Sequence, residues 1–281
     1  MSLRCLAVTV FSAVHGMCAP AAAADSAPAA PKHTWALISA VGGSFSYVRQ
    51  KMQTGSHLDP YFRANVTVSG YSLDAAVFRG LESVVRANDP DAEIFFARLD
   101  PKELEGIPAY RRGQMAIRKL ASVLDKLPER KGWYRIVIMT PEFVRPEYSG
   151  LGSKLEGIGV YVKGLESNLV AGDLDILDWH EDAVTPEGKP TRGATYIAPY
   201  LHARVWVLDA QTMEVIETSE RYEHEKIHDP TSVAIRVENA IPPEKLVPAM
   251  ERFLERSVAQ SLREAIGVVT VSDPKIVDQK K

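Results

Sequence analysis

Residues 134–140, YRIVIMT, set four apolar side chains, Ile136, Val137, Ile138 and Met139, in one unbroken row. A strand with one solvated face alternates apolar and polar residues, whereas a strand roofed by helices on both faces does not. This stretch is therefore read as the central strand of a sheet, and its neighbours are read outward from it.

Upstream, residues 35–41 (WALISAV) and 44–49 (SFSYVR) are strand-like and flank Gly42-Gly43, which predicts a hairpin. Residues 64–69 (ANVTVS) form a further short strand. Leu73, Val77, Leu81, Val84 and Val85 recur at helical spacing behind Ser72 as N-cap, and Asp89-Pro90 ends the run. Residues 93–99 (EIFFARL) return to strand. Asp100-Pro101 has the form of a helix start, and Ile117, Leu120, Leu124 and Leu127 mark a stronger helix that Pro128 closes.

Downstream, residues 157–163 (GIGVYVK) are expected to pair with the central strand, and 165–198 form a long acidic excursion. Residues 200–208 and 213–222 make an antiparallel hairpin turning at Asp209-Ala210-Gln211-Thr212. Pro242-Pro243 opens a closing helix with a stripe of Leu246, Met250, Leu254, Val258 and Leu262, stopped by Gly267. The pattern predicts an α/β fold: a mixed parallel/antiparallel sheet with helices packed on it, in a single globular domain.

The start of the chain has a different character. Arg4 precedes a short apolar run, residues 5–18, and then the small-residue stretch 19–24 (APAAAA). That is the form of a cleavable secretory signal, too short for a bilayer span, with the cut expected between Ala24 and Asp25. His15-Gly16-Met17 before Cys18 does not fit a lipoprotein box. The expected organisation is a signal peptide at 1–24, an Ala/Pro-rich tether at 25–34, the α/β domain at 35–270 and a polar tail at 271–281. Both cysteines, Cys5 and Cys18, lie in the leader, so the mature domain has neither a disulfide nor a thiolate ligand. Loss of Arg4 takes the formal charge from −3 to −4. No basic run points to nucleic acid, and no further stretch reaches membrane length.

Residues 203–216 (ARVWVLDAQTMEVI) resemble the hairpin of bacterial envelope proteins of the TolB N-terminal, curli-secretion and penicillin-binding-protein-activator type, in which a strand ending Asp-Ala-x-Thr-Gly turns into a second strand. Met213 stands where the glycine sits in those families. The resemblance implies binding at the cell envelope rather than catalysis.

The sharpest chemical motif is His224-Glu225-Lys226-Ile227-His228, which satisfies H-E-x-x-H. Metalloprotease chemistry needs it on a helix, where i, i+4 spacing brings both imidazoles to one zinc. Here it directly follows a strand, holds one apolar residue and runs into Asp229-Pro230, so it reads as a fortuitous match. The acidic run Asp173, Asp175, Asp178, His180, Glu181 and Asp182 lacks the spacing of a calcium loop and reads as solvated. Gly150, Gly152, Ser153 and Lys154 do not meet a phosphate-loop spacing, and His202 reads as an outward-facing strand residue. Ligands of open α/β sheets gather beyond the carboxyl ends of strands, which makes the loop after the central strand the expected site, with Glu142, Arg145, Glu147, Tyr148, Ser153 and Lys154.

The chain is thus expected to be a periplasmic or secreted, non-catalytic binding or assembly protein of the envelope, with no cofactor and with a protein or small-molecule partner. The alternative is a periplasmic hydrolase holding zinc on His224 and His228.

Overall fold

The computed structural model describes residues 32–50, 61–104, 106–142, 155–164, 181–234 and 236–267. Its strands are β1 (Thr34–Ser39), β2 (Ser44–Gln50), β3 (Tyr61–Thr67), β4 (Glu93–Arg98), β5 (Trp133–Pro141), β6 (Ile158–Lys163), β7 (Glu181–Val184), β8 (Pro190–Gly193), β9 (Tyr196–Asp209) and β10 (Val215–His224). Its helices among the described residues are α1 (Ser72–Asn88), α2 (Arg112–Leu124) and α3 (Pro243–Ala265). Eight strands form one mixed sheet, and β7 and β8 form a separate hairpin.

The long strand β9 organises that sheet. β10 pairs antiparallel with β9 from Tyr200 to Leu208, while β5 pairs with Ala203 to Asp209 and β6 with Tyr196 to Leu201. A strand has only two edges, so β5 and β6 share the edge of β9 that β10 leaves open and lie end to end along it. His202 bridges the gap: its N–H donates to Gly157 O at 2.7 Å and its carbonyl accepts the Glu142 N–H at 2.9 Å. The expected pairing of residues 157–163 with the central strand is therefore corrected, because both segments pair with β9 instead.

The same logic moves β1 and β2. β1 lies parallel on β5 and β2 parallel on β6, so the two are halves of one strand line interrupted at residues 40–43. The expected Gly42-Gly43 hairpin does not form. Gly42 adopts φ 80°, a conformation that suits glycine, but it makes a break in a continuing line rather than a reversal. Outermost, β4 runs parallel on β1 and β3 antiparallel on β2.

Alternation along these strands supplies two faces. Trp35, Leu37, Val137, Met139, Val205 and Val207 point to the face covered by α1 and α3, where Phe253, Leu254 and Leu262 are fully buried. Each such side chain contributes about 1.5–3 kcal/mol of burial. α1 and α3 approach so closely that a Cβ on Gly80 would sit 2.5 Å from the Glu255 carbonyl oxygen. Ala36, Ile38, Ile136 and Ile138 point to the opposite face, under α2. The row Ile136 to Met139 is thus buried on both sides, as its lack of alternation predicts. On the same second face, the β2/β6/β9 half carries a tyrosine cluster, Tyr161, Tyr196 and Tyr200, with Tyr61 and Tyr222 beside it.

Local details differ from expectation at two starts. Ser72 is the first residue of α1 rather than its cap; the N-cap is Tyr71 at φ 57°, with no side-chain cap bond. Asp100 caps only a 3₁₀ turn, Pro101–Leu104, by accepting the Lys102 N–H at 3.0 Å. The described part of the 165–198 excursion is ordered: it holds β7, β8 and the first residues of β9. Glu181 there is ion-paired with Lys163 and Lys226. Burial alone would raise its carboxyl, but those two lysines outweigh burial and hold it below the ordinary carboxylate range. The signal and cleavage site, the tether up to Pro31, residues 268–270 of the domain and the polar tail at 271–281 lie outside the described residues. No helix among the described residues is long and apolar enough to cross a membrane.

Candidate functional site

Of the residues expected after the central strand, Glu142 is described; Arg145, Glu147, Tyr148, Ser153 and Lys154 lie outside the described residues. Glu142 is buried, 7% exposed, and its carboxylate lies 3.4 Å from the Arg204 guanidinium. Arg204 also pairs with Glu220, which accepts a 2.9 Å hydrogen bond from His202 Nε2. Because a carboxylate only accepts, Nε2 carries the proton. Burial by itself would raise Glu220, yet the bonds from His202 and Arg204 outweigh it and leave the carboxyl below its ordinary range.

His202 is fully buried, which corrects its reading as an outward surface residue. Even-numbered positions of β9 face the second side of the sheet, and there the Tyr222 ring meets the imidazole edge-on at 5.9 Å. Its Nδ1 has no hydrogen-bond partner. The result is an ion-paired and hydrogen-bonded group of two carboxylates, one guanidinium and one imidazole. Among the described residues no hydroxyl or thiol is hydrogen-bonded to His202.

Next to this group, a cavity of about 150 Å³ opens where the β1–β2 line is broken. Thr140 and Pro141 form one wall, Ser44 and Ser46 another, and Arg112 and Gly113 at the start of α2 a third. Thr140 Oγ1 accepts the Trp206 Nε1–H at 2.9 Å, which ties this wall to β9. The cavity lies at the carboxyl ends of β1 and β5, the part of an open sheet where a ligand is expected.

The H-E-x-x-H segment is not helical. His224 ends β10, Ile227 makes isolated bridges to Val184 and Ile197, and His228 follows on extended chain. At roughly 3.3 Å per residue, extended chain separates i and i+4 by about 13 Å, too far for both to ligate one zinc. His228 Nδ1 instead donates to Thr195 O at 2.9 Å, with its ring against Gly193. Desolvation, with the Lys226 charge adding to it, lowers the pKa of His224. No group of three or more His, Cys, Asp or Glu side chains converges as a metal site among the described residues.

Exposed apolar side chains also stand elsewhere, among them three on the outer line formed by β3 and β4. Phe62 and Phe96 are 42% exposed and Val66 38%. Arg49 stacks over Phe62 at 5.3 Å, Arg63 over Tyr61 at 5.7 Å and Arg98 over Tyr71 at 3.4 Å. Among the described residues no strand pairs with the outer edge of either β3 or β4. Sequence reading missed this feature. Its only linear signal was the absence of acidic residues from SFSYVRQ and YFRANVT, which carry Arg49 and Arg63.

No family model matches the chain, and no curated protein matches it. A crystal structure of a Xanthomonas campestris protein of the family DUF330 aligns over 85% of this chain and 89% of that chain, at 10% identity and a TM-score of 0.31. A likeness that distant sets neither fold nor function.

Proposed function

We propose that this chain is an exported, non-catalytic binding or assembly protein of the bacterial cell envelope, released by cleavage between Ala24 and Asp25 and acting in the periplasm or outside the cell. The observation that carries the reading is the open β3/β4 edge, where Phe62, Val66 and Phe96 stand exposed beside backbone that no described strand pairs. Solvated apolar side chains on an unpaired edge are a liability that proteins usually blunt, and their retention fits a surface that a partner covers. The leader-like residues 1–24 and the resemblance of residues 203–216 to envelope-protein hairpins support the compartment.

The test is expression of the full chain in a Gram-negative host, with the amino terminus of the accumulated protein sequenced and envelope partners captured by cross-linking. A mature chain beginning at Asp25 in the periplasmic fraction, cross-linked saturably to one envelope component, supports the proposal. Retention of residues 1–24 in the cytoplasm overturns the export reading, and turnover of a substrate without any stable partner overturns the binding reading.

A further inference from the structure

We infer that the outward stripe of α2 is a docking surface for an anionic lipid bilayer, held at the headgroups by charge. Its first support is the distribution of charge along the chain. Residues 109–132 hold seven Lys or Arg against two Asp or Glu, in a chain whose formal charge is −3. α3, on the opposite face of the sheet, holds four of each sign.

Placement comes second. Ala116, Leu120 and Leu124 are buried toward the sheet, which turns the other side of the helix to solvent. At 3.6 residues per turn, Arg111, Met115, Arg118, Ser122 and Lys126 fall within about 80° of one another on that side. Arg111 and Asp125, which bound the helix, both keep αR backbone, so the spacing holds at its ends. Arg111, Arg118, Ser122 and Lys126 are exposed. Tyr110, 61% exposed, stands at one end and Val123, 42% exposed, flanks the other. Cations accompanied by a polar-tipped ring and an apolar side chain suit a helix lying at a headgroup boundary.

Availability is the third. Among the described residues no carboxylate pairs with Arg118 or Lys126, and the Arg111 guanidinium lies over the Tyr110 ring at 5.4 Å. Arg112, bonded through Nε to Ile107 O, and Lys119, paired with Glu103 at 3.7 Å, are already engaged and are not counted. Asp125, which shares this side of the helix, is itself paired with Arg130 at 3.0 Å. On the other face of the sheet Arg79 is paired with Glu251 and Glu255, and Arg256 with Glu225. A convex helix stripe meets a plane along its length, whereas an acidic peptide needs a groove or an open strand edge, which the stripe does not offer. Export is not a premise, since anionic leaflets also face the cytoplasm.

The probe is vesicles of phosphatidylglycerol and phosphatidylcholine in equal parts, sedimented with the chain from Asp25 onward, which contains the whole described fold. Saturable binding is expected, absent with phosphatidylcholine alone and lost as ionic strength rises from about 0.05 M to about 0.5 M. One cation near an anionic leaflet contributes about fivefold in partition, the equivalent of about 1 kcal/mol. Arg118→Gln should therefore weaken binding about fivefold, and Arg111→Gln, Arg118→Gln and Lys126→Gln together about a hundredfold. Arg118→Lys should retain binding, and Arg263→Gln, which removes the same charge from α3, should leave it unchanged. Circular dichroism of each variant should match wild type, because none of these side chains is buried.

Absence of binding to phosphatidylglycerol vesicles overturns the inference, as does equal binding to phosphatidylcholine, or binding that the triple substitution leaves intact. Binding to soluble polyglutamate but not to vesicles also overturns it and assigns the stripe to an acidic protein. Each of these failures leaves the proposed function standing, whereas retention of residues 1–24 in the cytoplasm sinks the export reading without touching the stripe.

Discussion

Asp74, in the first turn of α1, accepts the Ser39 hydroxyl at 2.5 Å and the Gly42 N–H at 3.1 Å, both on Oδ1. Ser39 Oγ in turn accepts the Val41 N–H at 3.3 Å. These bonds gather the residues at which β1 gives way to β2, so the carboxylate, 2% exposed, holds the break in the strand line against the helix. Burial raises its pKa above the ordinary carboxylate value, and the bonds from Ser39 and Gly42 and the charge of Arg98 only partly offset that.

Asp74→Ala strips an acceptor from two buried donors and should cost about 2–3 kcal/mol, measured as the shift in urea midpoint. The pH dependence has a definite sign. A raised folded-state pKa means that the native state holds this proton more tightly, so the stabilisation is fully present below the unfolded value of about 3.9 and is lost as pH rises through the folded value. Asp74→Asn keeps an acceptor and removes the titration, so its stability should be flat across that window. An Asn variant that keeps the wild-type slope would assign the slope to another group.

Glu220 predicts the opposite slope. Its folded-state pKa lies below the ordinary value, so its stabilisation is present above about 4.3 and is lost as pH falls through the folded value. The exposed pair with Arg204 contributes little by itself. The buried Nε2–H of His202 is the larger concern, because Glu220→Ala leaves it without an acceptor at a cost on the order of 1–2 kcal/mol. Glu220→Gln retains an amide oxygen there and should recover most of that loss in urea titrations at pH 7. Equal losses in the two variants would show that the His202 bond is unimportant.

Gly80→Ala should lower stability by about 1–3 kcal/mol, because the added methyl meets the Glu255 backbone rather than a flexible side-chain tip. Thermal unfolding of this variant against Gly132→Ala, where a Cβ meets nothing within 4 Å, isolates the α1–α3 approach from the general effect of removing a glycine. Similar melting temperatures for the two would contradict the close crossing.

Legibility followed the range of the forces involved. The row Ile136 to Met139 announced a strand buried on both faces, and the stripe Met250, Leu254, Val258 and Leu262 announced a helix face, because each pattern reports one element against a generic core. The 209–212 turn was legible as well. Asp209 Oδ1 accepts the N–H groups of Gln211 and Thr212, and Met213 takes φ 62°, the left-handed conformation that a glycine would supply at that point. Pairing was not legible. Gly42-Gly43 marks a backbone irregularity whether the chain reverses or continues, and only the length of β9, which accommodates β5 and β6 in tandem, decides between the two. The burial of His202 was hidden in part for the same reason: Tyr222 and Glu220 lie across the legible hairpin, but Glu142 comes from a distant part of the chain. The open edge has no local signature, because an edge is a property of what does not pair.

The two histidines of the H-E-x-x-H segment should separate cleanly on substitution. His228 donates to Thr195 O and its ring lies against Gly193, whereas His224 is exposed at the end of β10, its ring against that of Tyr222. His228→Ala should therefore cost about 1–2 kcal/mol through the orphaned carbonyl and lost packing, and His224→Ala should change stability by less than about 0.5 kcal/mol. If the segment held zinc, both substitutions would instead act on the same ion and would lower metal content together. Elemental analysis of chelator-free wild type and both variants decides between these outcomes. Unchanged metal content with unequal stability losses follows from the extended geometry. One zinc per chain, lost on either substitution, would mean that the segment rearranges to bind metal and would reopen the hydrolase reading.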